Sequence, residues 1–303
     1  MWFAEDDGHI VGQYRGTCME IKVGNKVLRG IQGVDSLTHP NHRRQGINST
    51  LMRHVIDDAR AAGFGIGVAF PAHASASYQE HIRLGWSHVG RMRNLIKPLN
   101  WRRLIGARVK IRWLAVPLAI CASLLLGKIL FRARDPPFVQ GLLVKEVDSF
   151  DDRVNKLWTR VFDRHTVMTV RDERYLHCRY LSGESHYRKL VAEKDNEIVG
   201  YAIARCDCGI AQICDLIAES DYVMHNLVSK VVEISQLAGA DAIVYPLFGD
   251  KGYRRILRRS GFVSAPCFKS YMIVARSISS DVPEDVLCDP DSWLVQLGDS
   301  DTI

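Results

Sequence analysis

Short apolar runs alternate with tight polar turns along this chain, and the same order of elements occurs twice. Ala4-Glu5-Asp6-Asp7-Gly8-His9-Ile10-Val11-Gly12 and Ala192-Glu193-Lys194-Asp195-Asn196-Glu197-Ile198-Val199-Gly200 are near copies of each other. Each reads as two strands joined by a polar turn, Asp-Gly in the first and Asp-Asn in the second, which predicts a β-hairpin. Further on, residues 63–71 form a short apolar strand closed by Pro71, followed by a helical stretch and Leu84-Gly85-Trp86. Residues 239–246 form a second such strand closed by Pro246, followed by a basic helix over 253–259 and then Gly261-Phe262. Helix, glycine cap and aromatic residue therefore appear in the same order in both halves. Two matched pairs in one order predict a duplicated domain.

The halves differ at their starts. The second has a strand-like run from Leu142 and helical patterns around 153–162 and 173–181 before its hairpin, whereas the first begins at the hairpin. The first half thus lacks a strand and two helices present in the second: either the N-terminus is truncated or another surface covers that edge. Between the halves, residues 101–134 carry eight Lys or Arg and no Asp or Glu. The apolar run inside this segment, 113–126, is shorter than the roughly 17–25 residues a spanning helix needs, and it contains Pro117. A buried interdomain helix, an interfacial helix on an anionic membrane and a true span are the three readings of this stretch, with burial of the apolar part and exposure of the basic flanks preferred. The organisation expected is a domain over 1–100, a basic and apolar helical linker over 101–137, a second domain over 138–280 and a tail over 281–303.

Composition narrows the class. Of 303 residues, 47% are hydrophobic and 24% charged, the balance of an ordinary folded protein. The formal charge of +6 is too weak on average to argue for nucleic acid. None of the eight cysteines forms a Cys-x-x-Cys pair, so a zinc site is not expected, and free thiols in a reducing cytoplasm are. Acids within the first seven residues exclude a secretory signal at this start.

The chemically informative stretch is 31–51. Residues 31–38 read as a strand, which Pro40 ends. His42-Arg43-Arg44-Gln45-Gly46 then forms a basic, glycine-containing turn, and from about Asn48 the spacing of Leu51, Met52, Val55, Ile56 and Ala59 is helical. A strand, a basic glycine turn and a helix start aim backbone N–H groups and two guanidinium charges at one place, which suits an anion and above all a pyrophosphate.

This ordered set resembles the GNAT superfamily of N-acyltransferases, in which the strand-to-helix segment reads V-x-P-x-x-[QR]-x-x-G-x-[GA] and cradles the pyrophosphate of acetyl-CoA. Thr38-His39-Pro40-Asn41-His42-Arg43-Arg44-Gln45-Gly46-Ile47-Asn48 lies on that pattern, with Asn48 in place of the final Gly or Ala. Phe70-Pro71-Ala72-His73-Ala74-Ser75 resembles a second family segment, with Ala72 in place of asparagine. The resemblance implies an α/β fold, an α+β arrangement with a mixed sheet in each of two tandem GNAT-like domains, the first of them N-terminally incomplete. It implies acetyl-CoA or another acyl-CoA held by Leu37, Thr38, Arg43, Arg44, Gln45, Gly46, Ile47, Asn48 and Ser49. Asp35 or His39 is then the base that deprotonates the acceptor amine, and Tyr78 or His81 the acid that protonates the leaving thiolate.

In the second half the matching segment, 217–231, has no glycine turn, and Glu219 and Asp221 stand where the phosphates would lie, so fold without cofactor site is expected there. The two copies, the crossover and the ending 293–301 look like the tandem GNAT proteins of bacterial surface-polysaccharide clusters. The activity implied is transfer of an acetyl or other acyl group to a small-molecule or peptide amine, an amino sugar among them. The alternative is an impaired CoA-binding or scaffold protein. A homodimer is allowed, and the location expected is cytoplasmic, with peripheral contact at the inner membrane face through 101–134 left open.

Overall fold

The computed structural model describes residues 1–100, 103, 136–181, 187–249, 251–265 and 270–300. The expected linker over 101–137 lies outside the described residues except for Arg103, Pro136 and Pro137. In the first part of the chain, β1 (Trp2–Asp6), β2 (His9–Val23) and β3 (Lys26–Thr38) form a meander. It leads to α1 (Ile47–Ala61), β4 (Ile66–Ala69), α2 (Ala76–Arg83), β5 (Ser87–Arg91) and β6 (Arg93–Pro98). The second part runs β7 (Leu143–Val147), α3 (Arg153–Val161), β8 (Val167–Thr169), α4 (Glu173–Arg179), β9 (Tyr187–Lys194), β10 (Glu197–Asp207) and β11 (Ile210–Ala218). It continues through α5 (Asp221–Leu237), β12 (Ala242–Gly249), α6 (Lys251–Arg259), β13 (Val263–Ser264), β14 (Met272–Ser277), α7 (Glu284–Cys288) and β15 (Leu294–Gln296).

Local chemistry explains the matched elements. The hairpin turns at Asp7-Gly8 and Asp195-Asn196 hold all four residues at positive φ, the geometry that fits the twist of two-residue hairpins and that Gly, Asn and Asp tolerate best. Helix α1 buries Leu51, Met52, Val55, Ile56 and Ala59, the five positions that the spacing placed on one face. They pack with Trp86, Phe64 and Val274 on one side of the first sheet, and each aliphatic side chain so buried contributes roughly 1.5–3 kcal/mol. The opposite side of that sheet is closed by Leu287, Trp293 and Val295 from the end of the chain.

The two mixed sheets trade strands. The first has the order β1-β2-β3-β4-β14-β5, with β8 paired to β2; the second has the order β13-β6-β12-β11-β10-β9-β7, with β15 paired to β12. The chain leaves the first sheet at Met92, which is 1% exposed, and β6 inserts between β12 and β13. In return β14 inserts between β4 and β5. A division of the sequence near 100 and 138 therefore does not separate the two sheets: 93–98 lies in the second and 272–277 in the first. β6 (Arg-Asn-Leu-Ile-Lys-Pro) and β14 (Met-Ile-Val-Ala-Arg-Ser) are only six residues long, and neither pattern carries information about which sheet receives it.

Among the described residues no helix is long and apolar enough to cross a membrane. The described cysteines Cys18, Cys178, Cys206, Cys208, Cys214 and Cys288 are free thiols.

Candidate functional site

Strands β3 and β4 run parallel from Gly30 paired with Ile66 to Gly33 paired with Ala69, and pairing stops there. Just beyond, the register between β2 and β3 slips, so that Arg15 faces Val34 while Gln13 faces Leu37. Asp35 and Ser36 form the bulge, with Asp35 at φ +48. A bulge bends its strand and frees backbone groups from the ladder, and here it turns β3 away from β4 and opens a V. A cavity of about 280 Å³ occupies the V, walled by Tyr14, Val34, Asp35, Phe70, Ala72 and His81 among others.

A second cavity of about 800 Å³ continues from it along the end of β3 to the start of α1. Ser36 and Ser77 line both, so the two form one track. Leu37, Thr38, Arg43, Arg44, Gly46, Ile47, Asn48 and Ser49 all line the larger cavity. Gln45, predicted with them, is exposed and is not part of the wall.

The turn is built by its residues. Pro40–His42 make a single 3-10 turn whose N-cap His39 accepts the Asn41 N–H at 3.4 Å. Arg43 Nε donates to the Thr38 carbonyl at 3.3 Å, tying the turn to the end of β3. Arg44 and Gly46 sit at φ +63 and +81, which delivers the chain into α1 with no side chain capping its first turn. The helix N–H groups at 47–49 are thereby left for an external acceptor. No neighbour lies within 4 Å of the place a Cβ on Gly46 would take, so the left-handed backbone, not crowding, is what calls for glycine there.

Two side chains in this wall are spoken for. Asn48 Oδ1 accepts from Ser36 Oγ at 2.5 Å and its Nδ2 reaches Met52 Sδ at 3.5 Å, so Asn48 clamps α1 to the bulge. Ser49 Oγ donates to Glu80, which is itself paired with Arg83 at 2.8 Å.

The four candidate catalytic residues part company. Asp35 lines the V, but its carboxylate forms a half-exposed ion pair with Arg15 at 2.9 Å. Tyr78 lines neither cavity; its hydroxyl lies 3.3 Å from Nδ1 of His88 on β5. His39 lies outside both cavities, its ring edge-on to His42 at 5.5 Å.

His81 is buried at 3% exposure and lines the V. Its Nδ1 donates to the Ser77 carbonyl at 2.7 Å, and among the described residues Nε2 has no partner. Burial holds this imidazole below its ordinary range, against the opposing pull of the Ser77 carbonyl and Glu80. The ring is therefore neutral near pH 7, with its proton fixed on Nδ1 and a bare lone pair on Nε2.

One wall residue escaped the sequence reading. Tyr14, 2% exposed, places its hydroxyl 2.0 Å from where a Cβ on Gly33 would stand. Burial pushes its phenol well up, so it remains a proton donor. The signal was present in Gly33, since a glycine inside a strand marks the close approach of another group.

The second sheet opens in the same way and is then filled. β11 and β12 pair in parallel up to Gln212 and Val244, and a register slip between Ile203 and Ala204 of β10 bulges β11 at Cys214. Into this V runs β15, antiparallel to β12 from Leu247 paired with Gln296. The buried Gln296 side chain accepts the Leu216 N–H at 2.8 Å and donates to the Leu216 carbonyl at 3.1 Å. Behind it, Arg171 Nε contacts both oxygens of Asp215 and Arg171 Nη2 both oxygens of Asp299, at 2.8–3.2 Å. Ser220 caps α5 by accepting the Val223 N–H, and Glu219 is paired with Arg160. This helix start thus carries its own side-chain cap and the tail of the chain fills the V beside it, while a cavity of about 120 Å³ remains at the helix start, walled by Arg164, Glu219, Ser220 and Asp221 among others.

Residues 1–89 match the Acetyltransferase (GNAT) domain family. No curated protein matches the chain. Among solved structures, a probable N-acyltransferase from Enterococcus faecalis is similar over 90% of this chain and 61% of its own, with a TM-score of 0.62 at 11% identity. A GCN5-related N-acetyltransferase from Anabaena variabilis is similar over 90% and 61%, with a TM-score of 0.63 at 10% identity. Saccharomyces cerevisiae N-myristoyltransferase with bound myristoyl-CoA is similar over 89% and 67%, with a TM-score of 0.59 at 11% identity. The chain spans about three fifths of the length of the first two. The fold is the mixed α/β arrangement of GNAT proteins, with two sheets, consistent with two GNAT-like domains.

Proposed function

We propose that the first half binds acetyl-CoA or another acyl-CoA along the track from the basic turn to the V, and transfers the acyl group to an amine acceptor. The observation that carries this reading is the contrast between the two openings. The first V is an open cavity that runs into a helix start with an uncapped first turn and two arginines, while the second is plugged by β15. The pyrophosphate lies on the N–H groups of residues 47–49 between Arg43 and Arg44. The pantetheine follows Leu37 and Thr38, and the thioester carbonyl meets backbone N–H groups freed at the Asp35–Ser36 bulge.

The amine nitrogen attacks the carbonyl carbon and the C–S bond breaks. Nε2 of His81, a buried acceptor without a partner among the described residues on a side chain that lines the V, takes the proton that the amine loses. The Tyr14 hydroxyl stabilises or protonates the departing sulfur. These assignments give His81 the part of base where the family resemblance gave it that of acid, because a neutral ring with Nδ1–H already donated has only a lone pair to offer.

Calorimetry with acetyl-CoA tests the site. Wild type is expected to bind one acetyl-CoA per chain, and Gly46→Glu, which sets a carboxylate against the pyrophosphate, to bind none. Gly46→Asn, which tolerates the left-handed backbone, controls for strain. Unchanged affinity in Gly46→Glu sinks the assignment, and a stoichiometry near two contradicts the closed second half. Thiol release with a panel of amines then separates an enzyme from a protein that binds the cofactor without turnover.

A further inference from the structure

Two elements wall the larger cavity of the track. One is the basic turn with the first turn of α1; the other is a face of α2 that presents Ser77, Glu80 and Arg83. Residues three apart on a helix lie on one side of it, and each step of three advances about 4.5 Å along the axis. Ser77 lines both cavities, whereas Glu80 and Arg83 line the larger one and not the V. The face therefore runs outward from the V in the order Ser77, Glu80, Arg83.

Glu80 stands beside the place where an anion is expected. Its carboxylate accepts from Ser49 Oγ in the first turn of α1 and pairs with Arg83 Nη1 at 2.8 Å. The Glu80 side chain is 14% exposed and that of Arg83 is 72% exposed. A carboxylate beside an uncapped helix start is favourable in the empty cavity, because it answers the partial positive charge of the first turn. The same carboxylate opposes a phosphate brought to the N–H groups at 47–49, and a charge so little exposed is screened poorly by salt. The wall thus holds a resident anion that a ligand must outcompete, with a cation next to it that the ligand can engage. A guanidinium that meets a carboxylate through one Nη has further N–H donors to offer a second oxyanion.

We propose that Glu80 and Arg83 select the carrier of the acyl group: the track accepts thioesters of free CoA and rejects thioesters of phosphopantetheine attached to a carrier protein. This selection rests on the acyl-CoA reading of the track and names the two residues that enforce it. Both donors carry the same pantetheine and differ in charge beyond it. Phosphopantetheine on a carrier protein ends in a single phosphodiester, which meets Glu80 and brings nothing to Arg83. CoA continues through a pyrophosphate to a ribose that bears a further phosphate. With the pyrophosphate on the first turn of α1, the ribose phosphate lies farther out along the track, where Arg83 ends the α2 face. That dianion engages Arg83, and the charge-assisted contact offsets the repulsion from Glu80.

Acetyl-CoA, acetyl-dephospho-CoA (which lacks only the ribose phosphate) and acetyl-phosphopantetheine are the probes, and calorimetry on the full chain reads their affinities. Binding is read rather than turnover because Glu80 also bears on the charge of His81. Wild type is expected to bind acetyl-CoA about tenfold tighter than the dephospho analogue, the worth of one hydrogen bond to a charged group. Arg83→Gln should bring these two to the same affinity, chiefly by weakening acetyl-CoA. Glu80→Gln, which keeps an acceptor for Ser49, should tighten all three several-fold. Melting curves verify that the variants fold; should Glu80→Gln not fold, Glu80→Ala replaces it, and the wild-type comparison needs no variant. Equal affinity of wild type for acetyl-CoA and its dephospho analogue, or a preference that survives Arg83→Gln, overturns the role of Arg83. Weaker acetyl-CoA binding in a folded Glu80 variant overturns that of Glu80. Acetyl-phosphopantetheine bound by wild type as tightly as acetyl-CoA overturns the selection while leaving the track in place. If wild type binds none of the probes, the acyl-CoA reading itself falls and the selection falls with it.

Discussion

Replacing Arg171 with methionine tests whether the tail of the chain is locked into the second V. The guanidinium is fully buried and makes five contacts within 3.2 Å, four to the carboxylates of Asp215 and Asp299 and one to the Thr169 carbonyl. Asp299 in turn accepts the Gln296 N–H at 2.8 Å, which orients the side chain that occupies the V. Burial already pushes the Asp215 carboxyl up against the pull of Arg171. Without the arginine, two buried carboxylates lose the cation that lies between them.

Removing one partner from a buried ionic group costs about 3–5 kcal/mol. At about 2–4 °C per kcal/mol for a domain of this size, the melting temperature should fall by roughly 6–20 °C. Urea denaturation measures the free energy, and limited proteolysis reports whether the tail comes loose first. Adding Asp215→Asn and Asp299→Asn should restore part of the loss, because a neutral set no longer strands a charge. A loss under about 1 kcal/mol in Arg171→Met would refute the claim that this network holds the tail in place.

Three further outcomes follow from the first V. Burial lowers the His81 pKa, so the unfolded chain binds a proton before the folded one; stability is intact above about pH 6.5 and declines as pH falls from there toward the folded pKa. Melting curves across that window should slope in wild type and flatten in His81→Phe, and equal slopes would contradict it. Asn48→Ala should cost about 0.5–1.5 kcal/mol through loss of the Ser36 bond, with acetyl-CoA affinity held; a large drop in affinity by calorimetry would place Asn48 on the cofactor instead. In thiol-release assays His81→Gln should lower turnover by about 10²–10⁴-fold, while Asp35→Asn, which breaks only a half-exposed pair with Arg15, retains it; the reverse order would move the base to Asp35.

Local pattern by itself determined the hairpins, α1 with its five buried positions, the short strand before Pro71 and the basic turn, whereas Pro246, expected to end a strand, lies inside β12, which runs on to Gly249. Each of these depends on residues within a few positions of one another: Asp7-Gly8 selects a turn, Gly46 a left-handed entry to a helix, and the spacing from Leu51 to Ala59 a buried face. The candidate residues from 37 to 49, Gln45 apart, share one cavity wall for the same reason, since a short turn leaves few ways to aim its side chains. Tertiary structure alone decided the rest. Whether Tyr78 or His81 faces the V depends on how α2 is rotated against β14 and β5, and β14 arrives from nearly 200 residues away. Which sheet receives β6 and β14 depends on partners distant in sequence, because a six-residue strand satisfies its backbone hydrogen bonds equally well in either. The closure of the second V by Gln296, and the buried charges of Arg171, Asp215 and Asp299 behind it, join segments that carry no local mark of one another. Such contacts are selected by burial in three dimensions, where an amide or a charge is tolerated only beside the partner that satisfies it.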